Sequence, residues 1–131
     1  MLKKTVFVSF DYDNDRHYRD LLCAWDANPD FDFSFNEASP EVAVESTDAA
    51  TIKLVLAQKI EAATYLLCII GKYSYSGWVV WEINKAKELK KKLVVVKIDR
   101  ENISPAALFG SGAARAMSFS RGAVLKALKE A

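Results

Sequence analysis

Tyr65-Leu66-Leu67-Cys68-Ile69-Ile70-Gly71 is an uninterrupted apolar run closed by a glycine. A run of that length without alternation reads as a strand buried on both faces, the kind found inside parallel sheets. Lys72 to Gly77 reads as a short polar loop, and Trp78 to Lys91 then reads as a helix. Trp78 and Glu82 are four residues apart and therefore share one face of that helix. A carboxylate beside an indole, just beyond the carboxyl end of a parallel strand, stands where α/β proteins bind ligands. Glu82 is the first candidate for chemistry.

Working outward, Thr5 to Phe10 (TVFVSF) is β-branched and aromatic and predicts a central strand. Asp11-Tyr12-Asp13-Asn14-Asp15 supplies capping residues and acids for a helix start. Tyr18, Leu21, Leu22 and Trp25 then mark an apolar helical stripe, ended by Asn28-Pro29-Asp30. Phe31-Asp32-Phe33-Ser34-Phe35 alternates strictly, which predicts an edge strand. A helix over about 48–63 carries Ile52, Val55, Leu56, Lys59/Ile60 and Ala63 on one side. Leu93 to Ile98 is a fourth strand, again buried on both faces. Residues 101–115 read as loop with a short helical turn, 116–119 as a short fifth strand, and 122–131 as a terminal helix.

Strands alternating with helices imply right-handed crossovers and helices on both faces of a parallel sheet. The fold class is α/β: a flavodoxin-like three-layer sandwich with a five-stranded parallel sheet of order 2-1-3-4-5, forming one domain over residues 1–131. In that order the topological switch point lies between the first and third strands. The strand ends there deliver Ser9-Phe10-Asp11 on one side and Gly71 through Trp78, including Ser76, on the other.

Hydrophobic residues make up 51% and charged residues 27%, a globular balance, and the net charge is +1. Neither a nucleic-acid surface nor a membrane-binding face is indicated. No apolar segment approaches the ~20 residues of a membrane span, and the apolar N-terminal stretch is too short for a signal peptide. A cytoplasmic protein is expected. Cys23 and Cys68 sit among apolar residues and read as isolated buried thiols. Lys90-Lys91-Lys92 reads as a structural cluster at a helix C-terminus, where cations face the negative dipole end. His17, the sole histidine, is placed away from the crevice. Gly110-Ser111-Gly112 lacks P-loop spacing and reads as a flexible connection.

Val6-Phe7-Val8-Ser9-Phe10 together with Ser76-Gly77-Trp78-Val79-Val80-Trp81-Glu82-Ile83 resembles TIR domains, in which a strand ending Ser-Phe precedes a distant Ser-x-Trp-x-x-x-Glu segment. The closer resemblance is to the TIR-like branch that includes the ThsB proteins of bacterial Thoeris anti-phage systems. Its pattern is met by Ile52, Ile60, Thr64, Ile70-Gly71, Ser76, Trp78-Val79 and Glu82-Ile83. The resemblance covers roughly the first hundred residues and fades in the tail.

That resemblance implies cleavage of the nicotinamide–ribose bond of NAD+, with formation of an ADP-ribose-derived, cyclic messenger sensed by a separate effector protein. It implies Glu82 as the catalytic carboxylate. Ser9, Phe10, Asp11, Ser76 and Trp78 would line the nucleotide pocket, with Asn36 and Ser39 on a loop that borders it and mediates self-association. NAD+ is the substrate, and no cofactor or metal is called for. Nicotinamide departs as a neutral base, so one ionised glutamate facing the oxocarbenium-like ribose supplies the main electrostatic term. Ordinary glycoside hydrolysis instead needs two carboxylates. A receiver domain shares the fold but needs an aspartate at the end of the third strand, where this chain has Ile69-Ile70-Gly71. Two alternatives stay open: a nucleoside deoxyribosyltransferase-like enzyme and a non-enzymatic TIR-like scaffold.

Overall fold

The computed structural model describes residues 4–27, 32–36, 49–72, 77–99, 101–108 and 110–131. Five strands form one sheet: β1 (Lys4–Ser9), β2 (Phe33–Asn36), β3 (Tyr65–Ile70), β4 (Lys92–Lys97) and β5 (Ala114–Ala116). Its order is β2-β1-β3-β4-β5, and every neighbouring pair is parallel. The flavodoxin-like architecture expected from the alternation of elements is therefore present. Among the described residues, four α-helices connect or flank the strands: α1 (Tyr12–Asp26), α2 (Ala49–Ala62), α3 (Gly77–Glu88) and α4 (Arg121–Glu130).

The period-two geometry of strands divides the core into two layers. Val6, Val8, Leu67, Ile69, Val94 and Val96 point to one face and meet Leu22 of α1 and Val124, Ala127 and Leu128 of α4. Phe7, Leu66, Ile70 and Val95 point to the other and meet Leu56 and Ile60 of α2 and Val79, Ile83 and Ala86 of α3. All six residues of β3 are buried, as its unbroken apolar run requires. Because α1 and α3 cover opposite faces, the chain leaves β1 and β3 in opposite directions, which makes their carboxyl ends the topological switch point.

Several boundaries differ from the sequence pattern. β5 lies at Ala114–Ala116, two residues earlier than 116–119, because pairing of Val94 with Ala114 and Val96 with Ala116 sets it. α3 ends at Glu88, short of the expected Lys91, because Lys90 takes a left-handed conformation with φ 58°. The lysine cluster consequently serves other helices. Lys91 Nζ donates to the Glu61 carbonyl at the end of α2 (2.8 Å), and Lys92 Nζ to the Ala131 carbonyl after α4 (3.3 Å). Both cations lie against the negative end of a helix dipole, although not that of their own helix. Leu21 and Val55, read as stripe residues, are exposed.

Candidate functional site

The carboxyl end of β1 places Ser9 and the middle of β3 places Cys68 in register, side by side on the α3 face of the sheet. One helical turn into α3, Glu82 projects onto the same spot. Its position between Val79, Ile83 and Ala86, all buried on that helix, turns the carboxylate toward the sheet and not toward water. Glu82 is 1% exposed and Ser9 0% exposed. The Ser9 Oγ donates a hydrogen bond to Glu82 Oε1 at 2.8 Å. A solvated glutamate paired with Lys85, the ordinary role for such a residue, is ruled out: Lys85 Nζ bonds Glu88 at 3.1 Å instead.

A second carboxylate belongs to the same neighbourhood. Asp15, in the first turn of α1, is only 5% exposed. Its carboxylate lies directly on Gly71, where a Cβ would come within 2.3 Å of Oδ2 and 2.6 Å of Oδ1. Glycine at 71 is thus a matter of space, since no larger residue leaves room for that carboxylate. An acid in the first helical turn is favoured by the dipole, which offsets part of the cost of removing it from water. The charges of both carboxylates act on Cys68. Burial first, then the charges of Glu82 and Asp15, push its thiol well above the usual range, while the Ser9 hydrogen bond acts in the opposite direction. Cys68 therefore stays a neutral thiol at physiological pH and is no nucleophile.

Phe10, Asp11 and Trp78 each have surroundings of their own among the described residues. Phe10 is buried in the opposite core layer, with the Arg19 guanidinium 5.9 Å from its ring centroid. Asp11 starts α1: its carbonyl accepts from the amides of Asn14 (3.3 Å) and Asp15 (2.8 Å), and its carboxylate from Asn14 Nδ2 (2.9 Å). Trp78 packs half-buried against the α3-side core and meets Trp81 edge-on at 6.0 Å. Asn36 ends β2, but its side chain, like Ser39 and Ser76, lies outside the described residues. With Asp15, Gly71 and Asp99, His17 lines a depression of about 300 Å3 beyond the ends of β3 and β4. Asp15 is the residue that sequence reasoning missed, because its setting (DYDND) looks like a solvated helix start. Gly71 after the buried strand is the one signal that a neighbouring side chain needs space there.

Among the described residues, no group of three or more His, Cys, Asp and Glu side chains is arranged to hold a metal ion. None of the helices there is long and apolar enough to cross a membrane.

The family model of the Thoeris protein ThsB, TIR-like domain, matches residues 7–103. The chain belongs to this ThsB TIR-like family. The matched span contains Ser9, Asp15, Cys68, Gly71 and Glu82 and stops before β5 and α4, as the fading resemblance of the tail leads one to expect. Among solved structures, the chain is similar to a 2-deoxyribosyltransferase from Bacillus psychrosaccharolyticus (17% identity, TM-score 0.64, covering 88% of this chain and 87% of that one). It is equally similar to a 2-desoxiribosyltransferase from Leishmania mexicana (16% identity, TM-score 0.64, 97% of each chain). A conserved protein from Enterococcus faecalis V583 follows (13% identity, TM-score 0.54, 78% and 69%). At these identities the likeness concerns the fold, which ThsB TIR-like domains here share with flavodoxin-type neighbours. No curated protein matches the chain.

Proposed function

We propose that this chain is a TIR-like antiviral signalling enzyme of the cytoplasm, which cleaves the nicotinamide–ribose bond of NAD+ and forms an ADP-ribose-derived, cyclic messenger in response to phage. The observation that carries the reading is the Ser9–Glu82 hydrogen bond, a carboxylate held dry at the switch point of a ThsB-family domain. A dry carboxylate acts on nearby charge far more strongly than one in water. In this reading ribose hydroxyls replace the Ser9 hydroxyl at Glu82, and the carboxylate faces the positive charge that grows on C1′. The bond between C1′ and the ring nitrogen breaks, its electron pair leaving with neutral nicotinamide. Water or the adenine of the same molecule then supplies the electron pair that closes the vacant valence. Water yields linear ADP-ribose and a released proton; adenine yields the cyclic form. A separate effector protein senses the product, and self-association regulates turnover.

A second reading, an N-glycosidic enzyme acting on nucleosides, is favoured by Asp15. Glycosidic cleavage with an uncharged leaving base uses a pair of carboxyl groups, and Asp15 is a second buried one besides Glu82. The similarity to two deoxyribosyltransferases is of fold and adds nothing about substrate.

The test is to incubate purified protein, with and without phage-infected lysate, with NAD+ and separately with a deoxynucleoside plus a free base. Release of nicotinamide supports the first reading. Base exchange without nicotinamide release supports the second. Neither reaction in infected lysate favours a scaffold that acts through partners alone.

A further inference from the structure

α2 carries apolar residues on both its sides. Leu56 and Ile60 face the core and are buried. On the outward side Ala50, Leu54, Val55 and Ala62 are exposed, Leu54 at 68% and Val55 at 45%. A helix that is apolar all round is one that something covers on both sides. An open groove of about 440 Å3 lies on this outer side, between Leu54, Ala57, Gln58 and Glu61 of α2 and, opposite them, Lys85 of α3 and Leu89 just after it. None of these residues belongs to the Ser9–Glu82 site or to the loop of Asn36 and Ser39.

The charges beside the groove select its occupant. Lys53, Ala57 and Glu61 follow one another at four-residue steps and form one ridge of the helix, with the two opposite charges about 12 Å apart at its ends. Neither charge has an ion-pair partner among the described residues, whereas Lys85 across the groove is already paired with Glu88 at 3.1 Å. Such a ridge complements its own reverse. Turned about a two-fold axis through Ala57, Lys53 meets Glu61 of another copy and Glu61 meets that copy's Lys53, while alanine at the centre lets the helices approach closely. The parallel arrangement sets lysine against lysine and glutamate against glutamate, which is repulsive.

We propose that the outer face of α2 binds a second copy of this chain in an antiparallel two-fold pair, with Leu54 of each copy seated in the groove of the other and two Lys53–Glu61 pairs setting the register. Burial of the apolar face supplies the affinity. The exposed ion pairs are individually weak and supply orientation. The pair gives the self-association in the proposed function a defined surface and to that extent rests on that reading. Its experiment follows mass alone, so its failure is distinct from a failure of NAD+ cleavage.

Sedimentation equilibrium of the purified full chain tests it, from about 5 μM to about 1 mM at low salt. A reversible monomer–dimer equilibrium with a Kd of about 10–300 μM is expected, the weak end for an interface built on one helix face. Leu54→Glu is expected to raise that Kd at least about tenfold. Lys53→Glu and Glu61→Lys are each expected to raise it about fivefold, because each makes both pairs repulsive. The double variant Lys53→Glu/Glu61→Lys restores opposite charges at both pairs and is expected to return to within about twofold of wild type. None of the three positions is buried, so all variants are expected to keep the wild-type circular dichroism spectrum. A chain that stays monomeric up to that concentration overturns the proposal. So does a dimer indifferent to Leu54→Glu, or a folded double variant that associates no better than the single ones.

Discussion

Ser9 and Glu82 meet across the switch point of the sheet, the serine hydroxyl donating to the glutamate carboxylate at 2.8 Å with both side chains out of contact with water. An ionised carboxylate so placed needs its donor. Removing the hydroxyl leaves the charge with one fewer partner in a low dielectric, and such losses cost about 1–3 kcal/mol. Ser9→Ala should therefore lower stability by that amount in urea unfolding. A midpoint unchanged from wild type would mean that the bond contributes nothing to the fold.

Gly71 and Asp15 make a second test of the same kind. A methyl group at 71 meets the Asp15 carboxylate at 2.3–2.7 Å, so Gly71→Ala must displace that side chain, at roughly 1–3 kcal/mol, the usual range for overpacking. Combining it with Asp15→Ala should restore part of the loss. The measurement is a double-mutant cycle in denaturant, and strictly additive effects would refute the contact.

Cys68 connects burial to pH. Its folded-state thiol is raised by burial and by the Glu82 and Asp15 charges, so the native protein holds this proton after the unfolded chain has lost it. That contribution is complete below the unfolded thiol value of about 8.5 and falls as pH rises beyond it. The slope is at most about 1.4 kcal/mol per pH unit. Wild type and Cys68→Ala should thus diverge only above that point, the variant losing less. In the native state a thiol reagent near neutral pH should modify Cys23 and spare Cys68. Parallel stability curves across alkaline pH, or rapid labelling of Cys68, would contradict this.

The sheet was legible because β3 and β4 are continuous apolar runs and Phe33-Ser34-Phe35 alternates, patterns that follow directly from burial on two faces or one. β5 was misplaced because three residues of mixed polarity, Ala114-Arg115-Ala116, carry no period, and pairing with β4 alone fixes them. Glu82 was legible as a candidate from its distance to a buried strand, but its inward direction depends on the buried side of α3. Asp15 was not legible, since its burial comes from a contact with Gly71 made 56 positions further along the chain.

Release of nicotinamide from NAD+ by wild type and Glu82→Gln, measured by chromatography in the presence of phage-infected lysate, tests the central claim most directly. Glutamine keeps the shape and an acceptor for Ser9 but loses the charge that faces C1′. The expected result is turnover by the wild type and a loss of about 10²–10³-fold in the variant, the scale of removing one preorganised electrostatic contact. Equal turnover by the two folded proteins would contradict the assignment of Glu82.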